Sequence, residues 1–161
     1  MHALAPGDHV EAFVRENPTF RPAGGRAPLI LIGAGAGVGP LAGFVRGNEG
    51  ARPIHLYFGG RSSSSDFLYE HEFAQRLAEK RLTSLRVAFS RDPDSGAYVQ
   101  DRIAADASHL RELIRQGAQI LVCGGRDMAA AVTHTLDAIV RPLGLDLATL
   151  KSHGRYVEDV Y

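Results

Sequence analysis

From residue 28 onward, the chain alternates between short continuous apolar runs and segments whose apolar residues recur at helical spacing. A short continuous apolar run is typical of a strand buried on both faces, whereas helical spacing is typical of an amphipathic helix. The runs predict strands at residues 28–33, 53–60, 84–90 and 118–125. The spacing predicts helices at residues 40–47, 66–80, 97–117 and 126–144.

Individual residues refine these helices. Asp66 is a suitable N-cap for the second helix, and the third helix is expected to break near Asp106. Pro142 and Gly144 end the fourth helix, because proline cannot continue a helix and glycine favours its C-terminal cap. The four serines at 62–65 predict a loop.

Strands that alternate with helices predict βαβ units with right-handed crossovers. Together with the tail at 154–161, the pattern predicts an α/β fold, a doubly wound, mainly parallel five-stranded sheet with helices on both faces. Ligands of such sheets bind beyond the carboxyl ends of the strands. The segments that follow the strands read GAGAGVGP (33–40), FGGRSSSS (58–65), FSRD (89–92) and VCGGRD (122–127).

The N-terminal part of the chain follows a different pattern. Residues 8–14 alternate weakly between polar and apolar positions and predict a strand. Residues 17–28 are rich in proline and glycine and predict a linker.

Composition narrows the function classes. The 161 residues carry a formal net charge of zero, which argues against a nucleic-acid-binding surface across the domain. No apolar run is long enough to span a membrane, and no signal-peptide pattern is visible at the N-terminus. Cys123 is the single cysteine, which excludes an internal disulfide and suits a reducing, cytoplasmic compartment.

The glycine loop at 33–40 departs from the common nucleotide-binding fingerprints. Gly33 and Gly35 fit the start of G-x-G-x-x-G, but Val38 stands at the third glycine, and no Lys-Ser/Thr pair follows. A strand that ends in glycines before a helix with Pro40 near its first turn still suits a pyrophosphate, which the free N–H groups of a helix start can bind. The alternative is a flexible turn without a ligand.

The next two strand ends carry cations and hydroxyls rather than acids. Arg61 precedes the serine run, and Ser90 and Arg91 follow the third strand. An acid at the end of the second strand would favour NAD, whereas arginines with hydroxyls favour the 2′-phosphate of NADP. Each arginine by itself could also be an ordinary solvated surface charge.

Four ordered motifs carry a family resemblance. GAGAGVGPLAGF, FSRDPDSGAYVQD, LVCGGRDMAAAV and GRYVEDVY resemble segments of the ferredoxin–NADP reductase superfamily. The closest resemblance is to the NADPH-binding domain of the diflavin-type reductases, the group of sulfite reductase flavoprotein and cytochrome P450 reductase. It covers about residues 28–161 and implies a Rossmann-like NADP(H)-binding module that positions nicotinamide for hydride transfer to FAD.

The resemblance assigns roles to residues of this chain. It implies that the pyrophosphate loop contains Gly33, Gly35, Ala36, Gly37 and Pro40. It implies that the adenosine 2′-phosphate and its surroundings are bound by Arg61, Ser90, Arg91, Tyr98 and Gln100, with Tyr98 packing on adenine. It implies that Gly124 and Met128 bind the cofactor, that Cys123 and Asp159 lie at the nicotinamide and assist hydride transfer, and that Tyr161 stacks on the flavin.

The chain departs from the family motif at two positions that bear on affinity. The family's threonine is Ala36 and its lysine is Gly96, so one hydroxyl and one cation are missing, and we expect weaker NADP(H) binding.

Residues 10–22 are similar to the last strand of the family's FAD-binding barrel and its exit linker. We therefore divide the chain into a barrel remnant with linker at 1–27 and an NADP(H)-binding domain at 28–161. The chain is expected to be a fragment of an NADPH-dependent flavoprotein oxidoreductase, with little activity by itself. The expected partners are the FAD-binding barrel domain and an electron acceptor, either a flavodoxin-like domain or a haem or siroheme protein.

Two other functions stay open at this point. A non-catalytic nucleotide-binding or interaction module would keep the glycine loop without needing the C-terminal residues. An NAD(H)-preferring enzyme with its own substrate would need a general base in the loops, and His153 is the one histidine that is well placed for this.

Overall fold

A computed structural model describes residues 5, 7–13, 16–50, 52–93 and 96–161. Within these residues, all neighbouring strands pair in parallel in one five-stranded sheet of order β3-β2-β1-β4-β5. The strands are β1 (Leu29–Ala34), β2 (Ile54–Gly60), β3 (Ser84–Phe89), β4 (Gln119–Gly124) and β5 (Tyr156–Val160). The predicted α/β fold is confirmed.

The α-helices connect these strands in chain order. They are α1 (Val38–Arg46), α2 (Ser63–Asp66), α3 (Glu70–Ala78), α4 (Val99–Ala105), α5 (Ala107–Arg115), α6 (Arg126–Val140) and α7 (Leu147–Ser152). Short 3-10 turns precede α1 at Gly35–Gly37 and follow α6 at Arg141–Leu143. No helix in the described part of the chain is long and apolar enough to cross a membrane.

The hydrophobic core lies on both faces of the sheet, as a doubly wound fold requires. On one face, α1 and α3 pack on the sheet through residues such as Leu41 and Phe73. On the other face, helices α4 to α7 pack through residues such as Ile103, Leu136 and Leu150. The three central strands β1, β2 and β4 are therefore buried in both directions and are largely apolar, whereas the edge strands β3 and β5 are only partly buried and contain charged residues.

The segment after β2 differs from the sequence prediction. Residues 62–65 were predicted as a loop, but three of these serines begin α2. Asp66 is not the N-cap of the following helix, because α3 begins after Tyr69, whose φ is 61°. The Asp66 carboxylate instead accepts a hydrogen bond from the Ser62 N–H at 2.9 Å, which steadies the start of α2.

The helices after β3 and β4 agree with the sequence prediction. Asp106 separates α4 from α5, and its carboxylate accepts hydrogen bonds from the Tyr57 hydroxyl at 3.0 Å and from Arg86 Nε at 2.9 Å. Gly144, with φ of +69°, ends the turn after α6.

The following short helix, α7, has no counterpart in the prediction. The Asp146 side chain caps it by accepting the Thr149 N–H at 2.6 Å.

The strand predicted at 8–14 is wrong for its described part, since residues 8–13 form no strand and residue 14 lies outside the described residues. Phe13 is 90% exposed, and the sheet offers no partner to this segment among the described strands.

The predicted linker at 17–28 is irregular, yet part of it packs on the domain. The Phe20 ring is buried, and its centroid lies 5.7 Å from the centroid of the Phe44 ring. The Gln119 side chain accepts the Ala23 N–H at 2.7 Å and donates to the Arg21 carbonyl at 3.3 Å. It also donates to the Gly154 carbonyl at 3.0 Å, so one buried amide joins the linker to the turn before β5. The linker therefore lies against the amino-terminal edge of the sheet.

Candidate functional site

A cavity of about 600 Å³ opens at the carboxyl ends of the strands, where a parallel sheet binds ligands. Because β1 is flanked by β2 and β4, the chain reverses direction across the sheet at β1. The cavity begins at the end of β1 and continues along the carboxyl ends of β2 and β3. Its walls are formed by Ala34, Gly35, Gly59, Gly60, Arg61, Asp66, Leu68, Ala88, Ser90, Tyr98, Val99, Gln100, Asp127, Met128 and Ala131.

The glycine loop turns directly from β1 into α1. Gly35 has φ of +53°, a left-handed conformation that glycine adopts without strain, and it is exposed at the cavity wall. Ala36 is exposed beside it, and Pro40 stands in the first turn of α1. A helix start beside exposed glycine suits an anion that lies over the loop, although the Val38 N–H is already donated to carbonyls of the preceding turn and Pro40 has no N–H.

Gly37 is required by packing rather than by conformation. It is buried, its φ of −62° suits any residue, and an added Cβ would collide with the Cys123 carbonyl and lie 2.9 Å from Gly124 Cα. At Gly33, an added Cβ would lie 2.8 Å from Leu41 Cδ1. Gly37 therefore lets the loop lie directly against β4, and Gly33 lets Leu41 of α1 lie close to β1. Both glycines shape the site without needing to touch a ligand.

The ends of β2 and β3 hold two arginines side by side. The Ser90 N–H donates to the Gly60 carbonyl at 3.1 Å, and the Arg91 N–H donates to the Arg61 carbonyl at 2.7 Å. Backbone hydrogen bonding thereby continues to Arg61, one residue beyond β2, and to Arg91, two residues beyond β3. Both arginines are exposed, and within the described part of the chain neither guanidinium has a hydrogen-bonding or ion-pair partner. Their positive charge is available to a ligand.

Tyr98 and Gln100 lie at the start of α4 and also line the cavity. The Asp101 carboxylate accepts the Tyr98 N–H at 2.7 Å, which fixes the backbone of this turn, while the Tyr98 side chain is 62% exposed. An added Cβ at Gly96 would lie 3.2 Å from the Ser90 carbonyl oxygen and 3.3 Å from that of Asp92. A side chain at residue 96 would therefore require these neighbouring carbonyls to shift slightly.

The C-terminal residues form a separate group at the ends of β4 and β5. Cys123 and Asp159 are register partners on these adjacent strands. Burial raises the pKa of the Cys123 thiol to about 11, and the nearby Asp159 carboxylate adds to this shift. The thiol is therefore neutral near pH 7 and is a weak hydrogen-bond donor rather than a nucleophile. Tyr161 is 63% exposed, and its N–H donates to the Gly124 carbonyl at 3.2 Å.

The residues predicted from the sequence thus fall into two places. Those that line the cavity are Gly35, Arg61, Ser90, Tyr98, Gln100 and Met128. Those that lie outside its walls are Gly33, Ala36, Gly37, Pro40, Arg91, Cys123, Gly124, Asp159 and Tyr161. The glycine loop contacts both groups, because Gly35 lines the cavity and Gly37 packs on the carbonyl of Cys123.

Sequence reasoning missed several lining residues, of which Asp127 has the clearest chemistry. It stands in the first turn of α6, two residues after the glycines that end β4, so the segment VCGGRD already contained the signal. Asp66 was interpreted only as a helix cap, although it also lines the cavity. The described residues contain no group of three or more His, Cys, Asp or Glu side chains that could hold a metal ion.

The chain matches the family model described as oxidoreductase NAD-binding domain over residues 31–134. It is 39% identical over 135 residues to the sulfite reductase (NADPH) flavoprotein alpha-component of Vibrio vulnificus, which covers 81% of this chain and 22% of that protein. It is 38% identical over 169 residues to the NADPH–cytochrome P450 reductase of Homo sapiens, and the match covers 94% of this chain and 25% of that protein. A Bacillus subtilis sulfite reductase (NADPH) flavoprotein alpha-component is 34% identical over 171 residues, covering 98% and 28%. The chain spans about a quarter of the length of these relatives.

Proposed function

Because the chain belongs to the oxidoreductase NAD-binding domain family, we propose that it is the NADP(H)-binding module of a flavoprotein reductase. In this role it holds nicotinamide for hydride transfer to FAD on a separate domain. The observation that carries the proposal is that Arg61 and Arg91, whose guanidinium groups have no partner among the described residues, are joined by a backbone hydrogen bond at the ends of β2 and β3. Two cations beside the Ser90 hydroxyl suit a phosphate monoester.

Preference for NADP over NAD follows from this charge. An NAD site commonly presents an acid to the ribose 2′-hydroxyl at the end of β2. The acid nearest that strand end along the chain, Asp66, uses its carboxylate to accept the Ser62 N–H. The 2′-phosphate therefore has two cations to bind and little competition from Asp66.

The rest of a dinucleotide fits the same edge of the sheet. The exposed Gly35 and the start of α1 suit the pyrophosphate, and Tyr98 offers an exposed ring on which adenine can pack. The cavity of about 600 Å³ has the size of an ordinary small-molecule site. Ala36 supplies no hydroxyl and Gly96 no cation, so we propose that the module binds NADP(H) less tightly than a member with both.

At the nicotinamide end, Cys123 and Asp159 orient the ring and Tyr161 covers the flavin face. The bound cofactors supply the chemistry, a hydride given by nicotinamide and accepted by flavin. The neutral thiol of Cys123 is small enough to let the nicotinamide ring approach, and the Asp159 carboxylate stabilises positive charge on that ring. Tyr161 is free to swing aside because its side chain is exposed.

The whole protein's partners belong to the same proposal. We place a barrel remnant and linker at 1–27 and the NADP(H)-binding domain at 28–161, with FAD bound by a preceding barrel domain. The electron acceptor is a flavodoxin-like domain or a haem or siroheme protein, and the setting is the cytoplasm, or the cytoplasmic face of a membrane. The similarity to sulfite reductase (NADPH) flavoprotein and to NADPH–cytochrome P450 reductase supports the part of this proposal that concerns an NADPH-dependent flavoprotein.

Calorimetric titration with 2′,5′-ADP tests the proposal. We expect wild-type protein to bind this ligand, and Arg91→Ala to weaken binding by about 1 to 3 kcal/mol, as for lost charge-assisted hydrogen bonds. Arg115→Ala, which removes an exposed arginine at the end of α5, is the matched control and should leave the affinity unchanged. A wild-type protein that binds NAD+ as tightly as NADP+ would contradict the 2′-phosphate assignment.

Reductase activity tests the second half of the proposal. With NADPH and ferricyanide, the chain alone should show little turnover, because in this proposal FAD is bound by a separate domain. The same chain joined to its FAD-binding domain should turn over. Rapid turnover by the chain alone would be evidence against a separate flavin domain.

A further inference from the structure

Two large apolar side chains of the described residues are exposed at the walls of the cavity. They are Leu68, just before α3, and Tyr98, just before α4, and they are 42% and 62% exposed. Because α3 and α4 pack on opposite faces of the sheet, the segments that carry these side chains enter the cavity from opposite faces. Apolar surface that stays exposed in a concave site is typical of ligand binding.

Leu68 is held in place by its two aromatic neighbours in the chain. The Phe67 ring packs in the core, with its centroid 5.4 Å from the centroid of the Phe89 ring. The centroid of the Tyr69 ring lies 5.3 Å from the guanidinium carbon of Arg46. Neither of these rings lines the cavity, whereas Leu68 does. The turn therefore presents Leu68 to the cavity from a backbone that is anchored on both sides.

Small residues lie between the two exposed side chains. Ala34, Gly59 and Ala88 line the cavity at the carboxyl ends of β1, β2 and β3. Their side chains are no larger than a methyl group, which leaves room for a flat ring beyond the strand ends. An added Cβ at Gly59 would lie 3.2 Å from Val99 Cβ, so α4 packs closely on the sheet beneath this space.

We propose that Leu68 covers the second face of the adenine ring, so that the base lies between this leucine and the Tyr98 ring. The inference rests on the proposed function, in which adenine packs on Tyr98 and the 2′-phosphate binds Arg61 and Arg91. A purine has two flat faces, and one tyrosine can cover only one of them. A branched aliphatic side chain removes the other face from water. Because leucine has no polar side-chain atoms, it adds affinity for a flat base without selecting its hydrogen-bonding edge.

Calorimetry with 2′,5′-ADP and NADP+ measures this contribution, because both ligands contain the same phosphorylated adenosine. Leu68→Ala should weaken both by the same factor, about three- to tenfold, since the ligand covers the exposed 42% of the residue. Leu68→Met keeps the apolar surface and should lose less than about twofold. Phe13→Ala removes an apolar side chain that is 90% exposed and lies outside the cavity walls, and it should change neither affinity.

NMR of the wild-type protein with 2′,5′-ADP gives a second readout that does not depend on a variant. We expect nuclear Overhauser effects from the adenine ring protons to the Leu68 methyl groups and to the Tyr98 ring protons. A purely structural role of Leu68 would not produce the first of these signals.

Each other outcome overturns the inference. If Leu68→Ala binds both ligands as the wild type does, or if adenine shows no Overhauser effect to Leu68, the base is not covered by this residue. If Leu68→Ala weakens NADP+ alone, Leu68 contacts the nicotinamide half. If Leu68→Met loses as much affinity as Leu68→Ala, the leucine does not act as apolar cover. A wild-type protein that fails to bind 2′,5′-ADP would overturn the proposed function itself, so the wild-type titration distinguishes the two failures.

Discussion

Replacing Gly37 by alanine tests how the glycine loop is held. The new methyl group would collide with the Cys123 carbonyl and lie 2.9 Å from Gly124 Cα, so backbone rather than a flexible side chain obstructs it. Overpacking of this kind destabilises proteins by about 1 to 3 kcal/mol, and an obstacle made of backbone favours the upper part of that range. We therefore expect the free energy of unfolding to fall by about 2 to 3 kcal/mol.

The same substitution should weaken nucleotide binding, because the loop must move away from β4 to make room. A displaced loop misaligns the N–H groups at the start of α1, and we expect NADP+ affinity to fall about tenfold. Urea unfolding measures the first effect, and calorimetry measures the second.

Gly39→Ala is the matched control for this experiment. The new methyl group at residue 39 would meet only the Tyr69 hydroxyl, at 3.9 Å, and alanine is favoured over glycine in a helix. Its stability should be unchanged or higher by about 0.5 to 1 kcal/mol. If Gly37→Ala unfolds within about 0.5 kcal/mol of the wild type, the loop is not held against β4 as described.

Three further predictions concern single side chains. Burial lowers the pKa of His55 from 6.5 to about 4, so the unfolded chain binds a proton that the folded chain does not, and stability should fall as the pH is lowered from 6.5 towards 4. Urea unfolding of His55→Asn should show a smaller fall, and an equal fall would contradict the assignment. The Cys123 thiol has its pKa raised from 9.0 to about 11, so stability should fall as the pH rises above 9, and less steeply in Cys123→Ala. Identical alkaline profiles would refute this. Tyr98→Ala should weaken 2′,5′-ADP binding by about 0.5 to 1.5 kcal/mol, while Tyr98→Phe keeps the affinity, and equal losses would point to the hydroxyl instead.

Much of the fold was predictable because its signals are local. Continuous apolar runs such as Leu29–Ala34 arise when a strand is covered on both faces, and this requirement is visible in sequence. The family resemblance inferred from the four motifs is confirmed by the match over residues 31–134. The break at Asp106 was also predictable, since a short acid in a helical pattern competes with the backbone for hydrogen bonds.

The errors occurred where tertiary contacts decide the structure. Asp66 has the sequence features of an N-cap for α3, yet α3 begins only after Tyr69, which has a left-handed backbone. The Asp66 carboxylate therefore accepts the Ser62 N–H instead of capping α3. The segment at 8–13 alternates like a strand but has no strand beside it among the described residues. Alternation shows which side chains could be buried, not whether a partner strand exists.

The roles of the glycines could not be separated in sequence either. Gly35 has a left-handed backbone, whereas Gly37 must lack a side chain because β4 leaves no space for one. Both are the same letter in GAGAGVGP. The difference lies in the position of Cys123, which is far away in the chain and adjacent in the fold.

The buried amide of Gln119 has a consequence for any domain attached ahead of the linker. By holding Arg21 and Ala23, with Phe20 buried nearby, it removes residues 20–27 from the free length of the connection. A shorter free tether raises the effective concentration of one attached domain around the other. Gln119→Ala would lengthen that tether without touching the cavity, and so would lower the frequency of encounters between the two domains.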